Sequence, residues 1–302
     1  MAFVPAPLLT VTIERQADVV ELHVHPGGQG VWQARMVAAL GVPVALCAAV
    51  GGETGRVLHT LLAEEDVDLR DVERESDSGW YVHERRAGER IEIAAHAGAP
   101  MVRHDIDELY TTALTEGLRA PVSVLSGTAD PAAVDADVYR RLAADLDAVG
   151  GRVVVDLAGD QLAAALAGGP AFVKVSHEEL LDDGRAADDT AGALADAAFR
   201  MRDEGAGAVL VSRADRPALA LLGEELLEVG LPTLEVVDHR GAGDSMTAGI
   251  AATLARGEDV SRAVRIGAAA GALNVTRRGL GTGRAEAIEE LAGRVRLDPW
   301  HR

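Results

Sequence analysis

The chain has 302 residues, of which 48% are hydrophobic and 25% are charged, and its formal net charge is −19 at pH 7. This length buries a full hydrophobic core, while the acidic balance argues against nucleic acid or an anionic membrane as partner, because both require a basic face. The single Cys47 cannot form an internal disulfide, and no Cys/His cluster has zinc spacing. With no apolar stretch long enough to span a bilayer, we expect a soluble protein of a reducing, cytoplasmic compartment.

Strands alternate with helices along the chain. We predict buried strands over residues 8–13, 42–50, 122–125, 153–157, 172–175, 208–211 and 234–238, and helices over residues 31–40, 55–65, 132–148, 160–166, 190–204 and 244–256. Alternation with continuous apolar strands indicates an α/β protein, whose mostly parallel sheet is covered by helices on both faces.

Residues 78–96 break this pattern. They predict two alternating strands around residues 87–89, which is typical of a hairpin. Turning Trp80, Val82, Ile91 and Ile93 inward would make the hairpin a flap over a site or against a partner subunit; the alternative is an edge hairpin of the main sheet. No internal repeat or linker is found, so the simplest partition is one domain, residues 1–302, with a small lid near residues 78–96.

The segment DHRGAGDSMTAG, residues 238–249, places small residues and an acid where a helix begins. Glycines let a ligand approach bare backbone amides, and the first amides of a helix form a site for anions. Asp244 has two interpretations from the residues alone. It is either an ordinary N-cap, or a carboxylate that accepts a hydroxyl proton while the amides hold phosphoryl charge.

This segment resembles the C-terminal signature of the ribokinase-like (PfkB) carbohydrate kinases, where a D-T-x-G-A-G-D turn carries the catalytic base. The residues that follow are most similar to the phosphofructokinase-type branch, which includes 1-phosphofructokinase and tagatose-6-phosphate kinase. Five further segments match in order: GGQG at 27–30, VLSGT at 124–128, KVSHEEL at 174–180, VLVS at 209–212 and AAGALNVT at 269–276. The resemblance implies a three-layer α/β/α sandwich with a small β lid.

The resemblance also implies an activity: ATP- and Mg²⁺-dependent phosphorylation of a hydroxyl of a sugar or sugar phosphate, most like 1-phosphofructokinase. It assigns Asp244 as the base, and the amides of Gly241, Ala242 and Gly243 to the transferring phosphoryl group. Arg240, inside the turn, would add a positive contact. Such a reaction needs mainly positioning and charge neutralisation. Because lids in this family often pair between two chains, the resemblance also implies a homodimer through the lid.

On the nucleotide side, the family's N-x-x-E pair, which organises Mg²⁺ through water, is Ser176-x-x-Glu179 here, so Glu179 is the candidate metal residue. The nucleotide loop over residues 212–218 has lost both of its glycines. The small-residue helix over residues 261–273 would lie beside the adenine or merely against a neighbouring helix. The candidate nucleotide-binding residues are Lys174, Ser212, Arg213, Asp215, Gly271 and Asn274.

On the substrate side, the resemblance assigns Asp18, Gly27, Gly28 and Gln29. Two departures matter: Glu14 stands where the branch has asparagine, and Gln29 stands where it has lysine. Either Arg15, Arg35 or another arginine replaces that lysine, or the acceptor is not the usual sugar phosphate. These departures leave a second hypothesis open, a non-catalytic regulator that binds a sugar or nucleotide and descends from such a kinase.

Overall fold

The computed structural model describes residues 1–16, 19–85, 90–231, 240–276 and 283–301. The strands in these residues are β1 (Ala2–Val4), β2 (Leu8–Gln16), β3 (Val19–Gly27), β4 (Ala45–Val50), β5 (Asp68–Glu73), β6 (Ser78–Glu84), β7 (Ile91–Gly98), β8 (Val122–Ser126), β9 (Arg152–Asp156), β10 (Phe172–Ser176), β11 (Ala208–Arg213), β12 (Arg216–Leu222), β13 (Glu225–Gly230) and β14 (Arg296–Pro299). The helices are α1 (Gln29–Ala39), α2 (Gly52–Ala63), α3 (Arg103–Gly117), α4 (Ala136–Asp147), α5 (Gly159–Leu166), α6 (His177–Asp182), α7 (Ala191–Asp203), α8 (Ala242–Ala255), α9 (Val260–Val275) and α10 (Ala285–Ala292).

The main sheet has ten strands in the order β14-β13-β12-β11-β10-β9-β8-β1-β4-β5. The strands from β11 to β5 pair in parallel, and β12, β13 and β14 continue the sheet in antiparallel pairs. Parallel pairing brings the carboxyl ends of β8, β9 and β10 to one edge, where open α/β sheets bind ligands. The predicted α/β class is confirmed.

Two apolar cores lie on opposite faces of this sheet. One core includes buried leucines of α3, α4, α5 and α7, whereas the other includes buried residues of α1, α2, α8, α9 and α10. Strand residues alternate between the cores, as the period of two requires: Val155 faces the first core and Val154 the second. The architecture is therefore the predicted three-layer sandwich.

Several boundaries differ from the prediction. The helix predicted over residues 132–148 is a short 3₁₀ turn, Pro131–Ala133, followed by α4. The break occurs because the Asp135 side chain accepts a hydrogen bond from the Asp137 amide at 2.8 Å and so caps a new helix. Residues 234–238, predicted as a strand, lie outside the described residues.

A second sheet, with strand order β3-β2-β6-β7, forms the lid. The prediction that residues 8–13 form a buried strand of the main sheet is wrong, because they belong to β2 in the lid; the first strand of the main sheet is the short β1. The sequence around Thr12 alternates apolar and hydroxyl side chains. That alternation suits a sheet with two unlike faces better than a strand buried on both.

The polar face of the lid is the buried one. Thr12 and His83 are buried on this face and aligned across β2 and β6, and the Thr12 hydroxyl lies 3.2 Å from His83 Nε2. His23, aligned with Thr12 on the outer strand β3, is exposed. Burial, with the nearby arginines, lowers the pKa of His83 to about 4, so this imidazole is neutral at pH 7. Ile91 and Ile93 are 49% and 51% exposed. The prediction that these two isoleucines face inward is therefore wrong.

Helices α8 and α9 pack closely because glycines meet at their crossing. A Cβ on Gly249 would lie 2.8 Å from the Cα of Gly267, and one on Gly271 would lie 2.5 Å from the Cγ of Met246. These contacts set a close distance between α8 and α9.

No helix in the described part of the chain is both long and apolar enough to cross a membrane.

Candidate active site

Helix α8 begins in the glycine-rich segment that the sequence analysis identified. Gly241 has φ of 70°, a left-handed conformation that glycine adopts without strain, and it is the N-cap of α8. The helix therefore begins at Ala242, and Gly241, Ala242, Gly243 and Asp244 are all half-buried. The amides at the start of this helix have no partner within the helix and carry partial positive charge. The preceding Arg240 is exposed.

Asp244 occupies the first turn of α8 but is not its cap. The N-cap is Gly241, and no side chain caps this helix end, so the N-cap interpretation of Asp244 is wrong. Burial, followed by the charge of the neighbouring Asp156, raises the pKa of Asp244 to about 7. A carboxylate with such a pKa is suited to exchanging a proton near neutral pH.

Lys174, the single lysine of the sequence, reaches this turn from β10. A Cβ on Gly243 would lie 2.5 Å from Lys174 Nζ, which shows how closely the ammonium approaches the start of α8. Burial opposes its charge, but the carboxylates of Asp156, Glu179 and Asp244 more than compensate and raise the pKa of Lys174 above its usual value. The structure therefore places a permanent cation beside the helix amides.

Asp156, at the end of β9, is the residue that the sequence analysis missed. It is 1% exposed, and its carboxylate accepts three hydrogen bonds: from Lys174 Nζ at 3.2 Å, from Gln33 Nε2 at 2.9 Å and from Thr247 Oγ1 at 2.7 Å. The available signal was an acid ending the apolar run VVVD, at the sheet edge where ligands bind.

Strand parity explains why these groups meet. Val124, Val154 and Phe172 belong to the core under α1 and α8, so the residues two positions later on each strand point the same way. Those residues are Ser126, Asp156 and Lys174, at or near the carboxyl ends of β8, β9 and β10. Three neighbouring strands thus place three polar side chains next to the N-terminal parts of α1 and α8.

A cavity of about 280 Å³ opens between the lid and the main sheet. Its lining includes Thr10, Tyr81 and Arg90 from the lid, and Gly28, Gln29, Trp32, Gly127 and Thr128 from the main domain. Gln29 Nε2 donates to the backbone carbonyl of Asp156 at 3.1 Å, which ties this wall to the acidic site. Gly27 lets the lid strand approach, since a Cβ there would lie 2.2 Å from Thr10 Oγ1. Asp18 lies outside the described residues.

Two donors in this cavity lack a partner among the described residues: Trp32 Nε1 and Arg90 Nε, both buried. The Arg90 guanidinium also stacks over Tyr81, 4.6 Å from the ring centre. Arg35 does not supply the charge of the missing lysine in this cavity, because it pairs with Glu65. Arg15 does not supply it either, because it is exposed and aligned with Val20 on the face of the lid opposite the polar one. Among the described residues, Arg90 is the arginine in the lining of this cavity.

The predicted nucleotide residues lie on neighbouring elements. Glu179 and Ser176 form a capping box at the start of α6, in which Glu179 Oε2 accepts from the Ser176 amide at 2.7 Å. Asn274, near the end of α9, donates Nδ2 to the carbonyl of Arg240 at 2.6 Å and so anchors the turn before α8. Gly271 contacts Met246 of α8, which favours the helix-packing interpretation at that position.

Residues 212–218, predicted as a nucleotide loop, form a tight hairpin between β11 and β12, and their nucleotide role stays a prediction. Its turn contains Ala214, with φ of 53°. β11 and β12 pair in antiparallel on either side of this turn, and Arg216 pairs with Asp189 at 2.9 Å. Ser212 is half-buried, Arg213 is buried and Asp215 is exposed.

The sequence profile of the pfkB family carbohydrate kinases matches residues 9–287. The chain is 30% identical over 258 residues, 84% of this chain and 82% of the relative, to the ATP-dependent 6-phosphofructokinase isozyme 2 of Escherichia coli strain K12. It is 26% identical over 273 residues, 90% and 88% of the two chains, to the 1-phosphofructokinase of Bacillus subtilis strain 168. The structure of phosphofructokinase-2 from Escherichia coli in complex with potassium superposes with a TM-score of 0.86 at 26% identity, covering 97% of both chains, which confirms the ribokinase-like fold. This chain belongs to the pfkB family of carbohydrate kinases.

Proposed function

We propose that this kinase transfers the γ-phosphoryl group of ATP to a hydroxyl of a sugar phosphate, in the manner of 1-phosphofructokinase. The observation that carries the proposal is the grouping at the start of α8: an acid poised to titrate near neutral pH, a buried lysine and bare helix amides. The cavity under the lid is the acceptor site, and the positive guanidinium of Arg90 in its lining suits an anionic substrate.

Asp244 acts as the base in this mechanism. The acceptor oxygen attacks the γ-phosphorus, the bond to the leaving oxygen of ADP breaks, and the hydroxyl proton passes to Asp244. Negative charge on the transferring group is held by the amides of residues 241–243 and by Lys174. The field of Asp156 keeps Lys174 protonated, so this cation persists through the reaction.

Mg²⁺ would accompany the nucleotide, and the residues present fit it. Magnesium prefers carboxylate and phosphate oxygens, and Glu179 lies close enough for its charge to raise the pKa values of both Lys174 and Asp244. We assign Glu179 to hold the ion together with the phosphates. When bound, the ion neutralises phosphate charge.

A panel of acceptors tests the proposal. With ATP and Mg²⁺, we expect ADP formation with fructose 1-phosphate, fructose 6-phosphate or tagatose 6-phosphate, and much weaker turnover with fructose or ribose. Replacing Arg90 by glutamine should raise KM for the phosphorylated acceptor by about 10- to 100-fold, because a charged hydrogen-bond partner is lost. KM for ATP should not change.

The matched control is Arg15→Gln, which removes an arginine of the lid from its opposite face and should leave both KM values unchanged. Absence of turnover with every acceptor, together with no ATP binding, would contradict the kinase proposal and favour the regulator. An Arg90→Gln enzyme with an unaltered KM for the phosphorylated acceptor would remove Arg90 from the acceptor site alone.

We also propose that the lid mediates a homodimer. Its outer face carries large exposed apolar side chains: Val20, Leu22, Val24, Ile91 and Ile93. A contiguous apolar surface of this kind is typical of an interface. Leu22, Ile13, Glu84 and Ile91 are aligned in one row across the four strands. Sedimentation equilibrium should give a dimer for the wild type, and Leu22→Glu should shift it to monomer because the charge would be buried. A monomeric wild type would contradict this assignment.

A further inference from the structure

Gln33 lies on the inner side of α1, fully buried, between the two acids of the site. Its Nε2 donates to Asp156 Oδ2 at 2.9 Å and to Asp244 Oδ1 at 3.3 Å. Its Oε1 accepts a hydrogen bond from Ser126 Oγ at 2.6 Å. Because an amide group has two N–H bonds and one carbonyl oxygen, this pattern of partners fixes which end of the carboxamide faces the acids.

We infer that Gln33 is a positioning residue for phosphoryl transfer, whose carboxamide holds Asp244 at a set distance from Asp156 and favours its ionised form. This inference rests on the proposed role of Asp244 as the base. The side-chain partners of Gln33 are Asp156, Asp244 and Ser126, so it acts through the Asp244 carboxylate. A general base accelerates the reaction fully only when it is correctly oriented, because a small displacement of a reacting group lowers the rate strongly.

The charges around Asp244 show why one neutral donor matters. The charged groups that face it are Asp156 from β9, Lys174 from β10 and Glu179 from α6, and α1 contributes only Gln33. Burial and the two acids oppose ionisation of Asp244, whereas Lys174 and the hydrogen bond from Gln33 favour it. Lys174 is already hydrogen-bonded to Asp156. Two groups favour the charge of Asp244, Lys174 and Gln33, and Gln33 is the one that donates a hydrogen bond to it.

The test is the pH dependence of kcat for Gln33→Met, which keeps the side-chain volume and removes the donor. Loss of a hydrogen bond to the charged form raises the pKa of Asp244, so the acidic limb of the profile should move upward by about one pH unit. At the plateau, kcat should fall by roughly tenfold because the carboxylate is no longer held. Asp156→Asn should move the same limb downward, since it removes a negative charge beside Asp244.

Gln161→Met is the matched control. Gln161 is also a buried glutamine, and its Nε2 donates to the carbonyls of Pro131 and Val134 at 3.3 and 3.4 Å. Replacing Gln161 should lower the free energy of unfolding as Gln33→Met does, but it should leave the acidic limb of the kcat profile in place. Should Gln33→Met fail to fold, Ser126→Ala provides the second variant. It frees the Gln33 carboxamide to rotate and should move the limb upward by a smaller amount.

An acidic limb that stays in place in both Gln33→Met and Ser126→Ala would overturn the inference, whatever happens to kcat or thermal stability. Failure of the proposed function has a different result: full activity of Asp244→Asn would show that the limb does not report this carboxylate. The two failures are therefore distinguishable.

Discussion

Replacing Asp244 by asparagine is expected to lower kcat by about 10²- to 10⁴-fold, the range that general-base catalysis contributes. Asparagine keeps the shape of the side chain and accepts no proton from the sugar hydroxyl. The change also removes a carboxylate whose charge burial and Asp156 disfavour, so the thermal midpoint of unfolding should stay level or rise. Steady-state assays of ADP formation, alongside thermal unfolding, would separate lost chemistry from lost structure.

Asp105→Asn is the control for this variant. Asp105 is likewise a buried acid in the first turn of a helix, α3, and belongs to the opposite side of the fold from α8. Its replacement should leave kcat per folded molecule unchanged. Near-normal kcat for Asp244→Asn with a correctly folded protein would contradict the assignment of the base and return attention to Asp156, the other acid of the site.

Local chemistry made the turn before α8 predictable. Small residues followed by an acid and an apolar run specify a helix start with accessible amides, and residues 242–255 do form that helix. Lys174 was also recognisable, because the segment KVSHEEL at 174–180 matches a family motif. Both signals sit within a few consecutive residues, so no knowledge of the tertiary structure was needed.

Asp156 and Gln33 could not be predicted in this way. Each is a single polar residue in an otherwise unremarkable element, and their meeting depends on strand order and on which face of α1 turns inward. The prediction of which lid face is buried was wrong for a related reason. Its strands alternate apolar and polar side chains, and alternation alone does not say which face is covered. The fold buries the polar face, where Thr12 and His83 hydrogen-bond, and leaves the isoleucines outside.

The strongly acidic composition also conceals the local charge of the site. The net charge of −19 argues against polyanionic partners, yet the ammonium of Lys174 lies close to the start of α8 and the guanidinium of Arg90 lines the cavity under the lid. The binding of a small phosphorylated ligand depends on such local positive groups and not on the net charge of the whole chain.

The second large effect is expected from Gly243→Ala. A Cβ at this position would lie 2.5 Å from Lys174 Nζ and 3.1 Å from its Cε, closer than nonbonded atoms approach. Gly243 has no left-handed φ, so alanine fits the helix backbone, and the ammonium rather than the chain must move. We expect kcat to fall by about 10²- to 10³-fold, the loss seen when one stabilising group for a developing charge is removed.

Thermal unfolding distinguishes this displacement from general damage. Alanine is a better helix former than glycine by about 0.5–1 kcal/mol, which offsets the cost of shifting the end of a flexible side chain. The unfolding midpoint should therefore change little. Gly192→Ala, in α7, has open space at its Cβ and should leave kcat unchanged with an equal or higher midpoint. If Gly243→Ala retained full kcat, the ammonium of Lys174 would not be required at the start of α8, and the phosphoryl charge would have to be held by the amides alone.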